Sequence, residues 1–300
     1  MTDQEKIKEI RKSIVSMVHN AGVSHIGAAF SIIEILYVLY FKAMKLNPSQ
    51  PQDPTRDIFV LSKGHASAAL YATLAHRGYF PIEDLMTYCV EDGKLPGHLD
   101  KDSCPGVEVS AGSLGHGAPV ALGMALARSK TPTKDLSGKA PDARLARSPG
   151  GAGPKLAVAN EDERNAADGP LRQIYTLVGD GECNEGSIWE MAMLAPNLGL
   201  NNFTVIIDYN KIQSFGNTND IIDQSNLVER WASFGWDAVE IDGHNLEQIE
   251  QALSKTSSKP KAIVAHTTKG KGVSFMEDQL LWHYKSPNDE QYKQALEELS

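Results

Sequence analysis

The run Gly179-Asp180-Gly181-Glu182-Cys183-Asn184-Glu185-Gly186, taken with Asp208-Tyr209-Asn210-Lys211-Ile212 further on, decides the fold. Each is preceded by a short apolar run of strand length: Ile174-Tyr175-Thr176-Leu177-Val178 before the first and Val205-Ile206-Ile207 before the second. Residues 182–209 leave room for one crossover helix, read from Ile188 to Leu198, and one adjacent parallel strand. The two polar turns therefore sit side by side at the carboxyl ends of neighbouring strands, where open α/β sheets hold their ligands.

The same alternation extends outward. Asp57-Ile58-Phe59-Val60-Leu61, Ala238-Val239-Glu240-Ile241 and Ala262-Ile263-Val264-Ala265 read as three more strands. Apolar spacing over Asp3 to His19 predicts an amphipathic helix, and Ala66 to Ala75 and Ala118 to Ala127 read as helices behind their own turns. The most apolar run, Ile26 to Met44, carries Glu34 and Lys42, so a buried core helix is expected there rather than a membrane span. The fold class is α/β, a parallel sheet with helices on both faces. Residues 1–300 are expected to form one domain, interrupted at 129–172 by a surface insertion rich in Pro, Gly, Ala and charge. The insertion joins the end of one helix to the start of the next strand, which puts it on the face away from the site. An element that contacts a partner chain is the other reading of this stretch.

A formal net charge of −9 argues against a basic nucleic-acid surface but not against phosphorylated ligands. Cys89, Cys104 and Cys183 are odd in number and form no CxxC pair, which fits a reduced, cytoplasmic setting. Met1 to Arg11 is mixed charged and polar, unlike a secretory signal.

The chemistry concentrates in the opening run. Gly179 and Gly181 let backbone N–H groups approach a phosphate, and the helix beginning near Ser187 adds its positive end. A carboxylate at Asp180 would repel a diphosphate unless a divalent cation lay between them, so Asp180 reads as a Mg²⁺ or Ca²⁺ ligand. Asn210 can supply a second, neutral oxygen.

Several motifs extend this reading in order: Leu61-Ser62-Lys63-Gly64-His65, Pro96-Gly97-His98, Gly112-Ser113-Leu114-Gly115-His116-Gly117, and Trp189-Glu190-Ala192 after the glycine turn. With them the chain resembles the N-terminal half of transketolase, or the separately encoded small subunit of split transketolases, within the thiamine-diphosphate enzymes. The resemblance implies a metal held by Asp180, Asn210 and the Ile212 carbonyl. It implies diphosphate contacts from Gly179, Gly181 and Glu182, and cofactor contacts from Gly112, Ser113, Leu114 and His65. It further implies that His25, His65, His98 and His283 line the channel to the thiazolium carbon, and that Glu185 links the two active sites of a dimer. Ser24-His25-Ile26-Gly27 departs from the family form in lacking a Pro, and His283 rests on its position after Thr267-Thr268-Lys269-Gly270-Lys271-Gly272. His116 stands where the family often has Gln and is assigned no catalysis. Asp242-Gly243-His244 is either a family element or a plain turn, and Cys183 reads as a packed residue.

In the family, the glutamate that activates the cofactor comes from a second α/β domain on the neighbouring subunit. The chain ends at Ser300, so the resemblance implies an obligate partner, two copies of each chain forming an α2β2 heterotetramer. The implied activity is transfer of a two-carbon ketol unit between sugar or sugar phosphate substrates. Competing readings are a 1-deoxyxylulose-5-phosphate synthase-like chain, the α chain of a 2-oxoacid dehydrogenase, and a regulatory cofactor-binding module without turnover.

Overall fold

The computed structural model describes residues 1–129 and 172–300. The expected insertion at 129–172 lies outside the described residues apart from its two end residues. Five strands form the main sheet: β1 (Ile58–Leu61), β2 (Ile174–Gly179), β3 (Phe203–Tyr209), β6 (Asp237–Asp242) and β7 (Lys261–His266). Two short strands, β4 (Ile212–Gln213) and β5 (Gly216–Asn217), make a separate hairpin. The main sheet has the order β1-β2-β3-β7-β6 and every pair is parallel.

Side chains alternate between two cores, as the pleat requires. Phe59, Leu61, Tyr175, Leu177, Ile206 and Ile263 join one cluster. Its helices are α1 (Asp3–Ala21), α2 (Ile26–Phe30), α3 (Ile33–Val38) and α4 (Ser67–Arg77). Ile58, Val60, Val178, Val205, Ile207 and Val264 join the other. That one is covered by α5 (Gly117–Ala127), α6 (Gly186–Asn197) and, beyond the small α7 (Thr218–Ile221), by α8 (Leu227–Ser233). The α/β class and the double-sided cover are as the sequence predicts. Further along, α9 (Leu246–Ser254) and α10 (Asp289–Glu298) pack on the first core.

The run Ile26 to Met44 is buried as expected but is not one helix. It divides into α2, α3 and a terminal π-helical turn at Leu39–Ala43. In a continuous helix the carbonyls of Ala28 and Phe30 would accept the amides of Ile32 and Glu34. Here Lys63 Nζ takes the Ala28 oxygen (3.0 Å) and Arg11 Nη2 takes that of Phe30 (3.2 Å). Ser31 Oγ also donates to Ala28 O at 3.1 Å and to Asp208 at 2.8 Å. Glu34 sits in the break, buried, bonded to Arg11 (2.7 Å) and to His244 (3.1 Å). No helix among the described residues is long and apolar enough to cross a membrane.

Parallel register aligns the ends of β2, β3 and β7. Gly179 pairs with Asp208 and Tyr209 with His266, so the Gly179–Gly181 and Asp208–Ile212 turns leave the sheet together. At the opposite edge, Gln173 N donates to Asp57 Oδ1 (2.9 Å) and Arg128 Nη1 to Pro54 O (2.8 Å).

Candidate active site

Asp180 closes β2 and is 3% exposed. Its Oδ1 accepts from Gly181 N (2.7 Å); its Oδ2 accepts from Lys211 N (2.7 Å) and Thr218 Oγ1 (2.9 Å). The carboxylate thus touches the middle of the Asn210–Ile212 segment. Burial, with the neighbouring Asp208 charge, pushes the Asp180 carboxyl up to about 6. Asn210 donates from Nδ2 to Asp208 Oδ2 (2.7 Å), which turns its Oδ1 outward to accept from Ile212 N (3.1 Å).

One carboxylate, one amide oxygen and the Ile212 carbonyl form a hard oxygen set suited to Mg²⁺ or Ca²⁺. Among the described residues no three His, Cys, Asp or Glu side chains group as ligands, as this mixed donor set implies. The residues fit a divalent cation on two grounds. Asp180 uses three of its roughly four acceptor positions internally. The Ile212 carbonyl already draws a positive group, the Lys269 ammonium at 2.9 Å.

Behind these ligands lies a buried ion pair, Lys63 Nζ to Asp208 Oδ2 at 2.6 Å. Burial by itself would raise the Asp208 carboxyl, but the Lys63 ammonium and the hydroxyls of Thr267 and Ser31 hold it below its ordinary range. Lys269 is equally buried, yet its partners are the Ile212 carbonyl and His283 Nδ1 (3.0 Å). Burial, then repulsion from Lys63, lowers it to about 8. Neither lysine stands out in the sequence alone, although both lie inside motifs quoted above. Burial is the signal that distinguishes them, because lysine is almost never buried without cause.

Glu182, expected to serve the diphosphate through its backbone, also has a side-chain task. Its carboxylate accepts from Ser62 Oγ (2.5 Å), Gly115 N (2.9 Å) and Gly179 N (3.3 Å), tying three glycine turns together. Burial pushes this carboxyl up. Gly115 and Gly117 are required by close approach: a Cβ at Gly117 would lie 2.7 Å from Ser62 Cα. Gly112 and Ser113 are exposed beside His98, and Leu114 O takes a hydrogen bond from His116 Nδ1 (3.0 Å). Glu185 is exposed at the start of α6. Cys183 is fully packed.

The four histidines expected in the channel come together from four separate loops. Ring centroids of His25 lie 5.3 Å from His65, 6.1 Å from His98 and 5.1 Å from His283, and His65 lies 5.8 Å from His283. His25 reaches this place through a left-handed backbone (φ 75°), and its N–H donates to His283 O (3.2 Å). Burial, followed by the neighbouring positive groups, lowers His25 to about 4, His283 to about 3 and His65 well below its ordinary value. These three rings are therefore neutral near pH 7. The Lys269 ammonium can only donate, so His283 Nδ1 accepts and its Nε2 carries the proton.

His244 has a structural place. Thr268 N donates to its Nε2 (2.8 Å), so its Nδ1 donates to Glu34 and the ring braces the loop that carries Lys269.

Comparison with known proteins agrees with this geometry. Residues 2–140 and 145–299 match the family model described as transketolase, thiamine diphosphate binding domain. One of the two subunits of the apulose-4-phosphate transketolase of Actinobacillus succinogenes is 38% identical, over 99% of this chain and 95% of that protein. A 6-deoxy-6-sulfo-D-fructose transketolase subunit from a Clostridium species is also 38% identical, with the same coverage. Human transketolase is 30% identical over 99% of the chain, which spans 43% of that protein. The crystal structure of transketolase from Campylobacter jejuni superposes with a TM-score of 0.82 at 31% identity, covering all of this chain and 43% of that one.

Proposed function

The chain belongs to the transketolase family through its thiamine-diphosphate-binding domain, and we propose that it is the diphosphate-binding subunit of a two-chain transferase that moves a two-carbon ketol unit between sugar substrates. The observation that carries this reading is the meeting of His25, His65, His98 and His283 beside the Asp180–Asn210 turn pair. A metal and diphosphate anchor serves many chemistries; a ring of neutral imidazoles beside it suits a polyhydroxylated substrate.

Bound thiamine diphosphate supplies the nucleophilic thiazolium carbon. Asp180, Asn210 and the Ile212 carbonyl hold Mg²⁺, and Lys269 adds a positive charge next to the diphosphate. Gly179, Gly181 and Glu182 present backbone to that diphosphate; Gly112, Ser113 and Leu114 form the rim towards the rest of the cofactor. His283 offers its Nε2 proton as a donor. Neutral His25 and His65 can accept or return a proton at a substrate hydroxyl, as general acid–base work near pH 7 requires. Glu185, exposed at the head of α6, faces a position where another chain can reach it. Relatives of matching length that are named as transketolase subunits support a partner chain, read here as the pyrimidine-binding half in an α2β2 assembly. Their substrates, a 4-phosphate and a 6-sulfo sugar, support a ketose with an anionic end as the substrate class.

Thermal unfolding and a ketol-transfer assay test the reading together. Thiamine diphosphate with Mg²⁺, at a hundredfold excess over Kd, should raise the melting temperature of wild type by about 5 °C. The same addition should leave Asp180→Ala at its own unliganded value. Ketol transfer should appear only when the partner chain is added. Turnover by the isolated chain would sink the two-chain proposal; absence of stabilisation with the partner present would favour a regulatory module.

A further inference from the structure

Three side-chain amides form a relay over the glycine turn. Gln224, 1% exposed, donates from Nε2 to the backbone oxygen of Asp180 (2.9 Å), and the same nitrogen reaches Asn184 Oδ1. Asn184 Nδ2 then donates to Gln213 Oε1 (3.3 Å). The orientation of every amide follows from its first partner. A backbone carbonyl only accepts, so Gln224 presents nitrogen to it; Asn184 must then present oxygen to Gln224 and nitrogen to Gln213. The relay ends with the Gln213 Nε2 group, which is buried and has no hydrogen-bond partner among the described residues.

A buried amide left without a partner costs on the order of 1–3 kcal/mol, so its place in a fold calls for a ligand or an ordered water. Gln213 follows the expected metal carbonyl of Ile212 on β4, and its side chain lies on Gly181. A Cβ built at Gly181 would stand 3.1 Å from Gln213 Cγ and Cδ. The free donor is thus beside the glycine whose own amide is expected to serve the diphosphate. An uncharged donor held there suits an anionic oxygen, and it would not compete with the metal for Asp180.

We propose that Gln213 is a further cofactor-binding residue, donating from Nε2 to a diphosphate oxygen, with its amide set by the Asp180–Gln224–Asn184 relay. The proposal rests on the thiamine-diphosphate reading above. It assigns Gln224 and Asn184 as positioning residues, since they act only through Gln213.

Calorimetric titration of the full chain with thiamine diphosphate in Mg²⁺ tests it, alongside the melting temperature of each unliganded protein. Q213A should raise Kd about tenfold, the loss of one hydrogen bond to a charged acceptor. Q213E keeps the bond from Asn184 but turns a carboxylate towards the diphosphate, and should weaken binding further than Q213A. N184A frees the Gln213 amide to rotate and should cost about threefold. All three should melt, unliganded, within about 2 °C of wild type. Binding by Q213A and Q213E within twofold of wild type would overturn the proposal, leaving an ordered water as the partner of Nε2. A loss of affinity matched by a large fall in the unliganded melting temperature would also overturn it, as a packing role. Failure of wild type itself to bind would instead overturn the cofactor reading on which it rests.

Discussion

Two lysines and an aspartate carry most of the buried charge at this site. Lys63 and Asp208 are 1% and 0% exposed at the side chain and lie 2.6 Å apart. Removing one member of such a pair leaves the other charge uncompensated. Lys63→Met should therefore lower unfolding free energy in urea by about 3–5 kcal/mol. It should also disturb Asn210, whose Nδ2 shares the same Asp208 oxygen. A change below about 1 kcal/mol would mean that Ser31, Thr267 and Asn210 suffice to hold Asp208. At this scale the sequence is legible where function needs an unusual residue in a glycine turn: Asp180, His65 and His98 stand out in the bare string. Lys63, Lys269 and Gln213 do not, because lysine and glutamine are ordinary surface residues until burial is known.

The glycine turns show what the elements add. Gly64 lies where the turn after β1 presses on the loop at Ala111; a Cβ there would stand 1.9 Å from Ala111 O and 2.5 Å from its carbon. Both neighbours are backbone and cannot swing aside. Gly64→Ala should destabilise the fold by about 1–3 kcal/mol and weaken cofactor affinity, since the same turn holds His65 against the Gly112 loop. Gly123, on the exposed side of α5 with nothing within 4 Å of a built Cβ, predicts the opposite sign. Gly123→Ala should stabilise by about 0.5–1 kcal/mol. Urea melts of the two variants separate close approach from helix propensity. The element whose form is least legible is Ile26 to Met44. Its burial is plain from composition, but its break arises from Arg11, Lys63 and Asp208, residues remote in sequence that claim its carbonyls and its Ser31 hydroxyl.

Across the whole molecule, all five strands of the main sheet are legible, because strands buried on both faces read as unbroken apolar runs. Their order is not, since the chain passes from β3 to the far edge at β6 and returns to β7, a choice that no local pattern encodes. The folded chain also holds its histidines in an unusual state, with a consequence for global stability. His25 and His76 are lowered to about 4 and His283 to about 3, chiefly by burial, and His65 lies well below the ordinary value. In the unfolded chain each titrates near 6.5. Between about pH 6.5 and 4 the unfolded state therefore binds protons that the folded state does not, and stability must fall as pH falls. Asp180, raised to about 6, works against this, because its folded form binds a proton first. One opposing carboxyl does not offset four imidazoles, so the urea midpoint should decline from pH 7 to pH 5. His76 bonds Ser13 Oγ at 2.8 Å and lies outside the histidine cluster, so it isolates the effect. His76→Gln should reduce the pH slope by up to about one proton and leave cofactor binding unchanged. A slope identical to wild type would show that His76 keeps its proton in the folded chain.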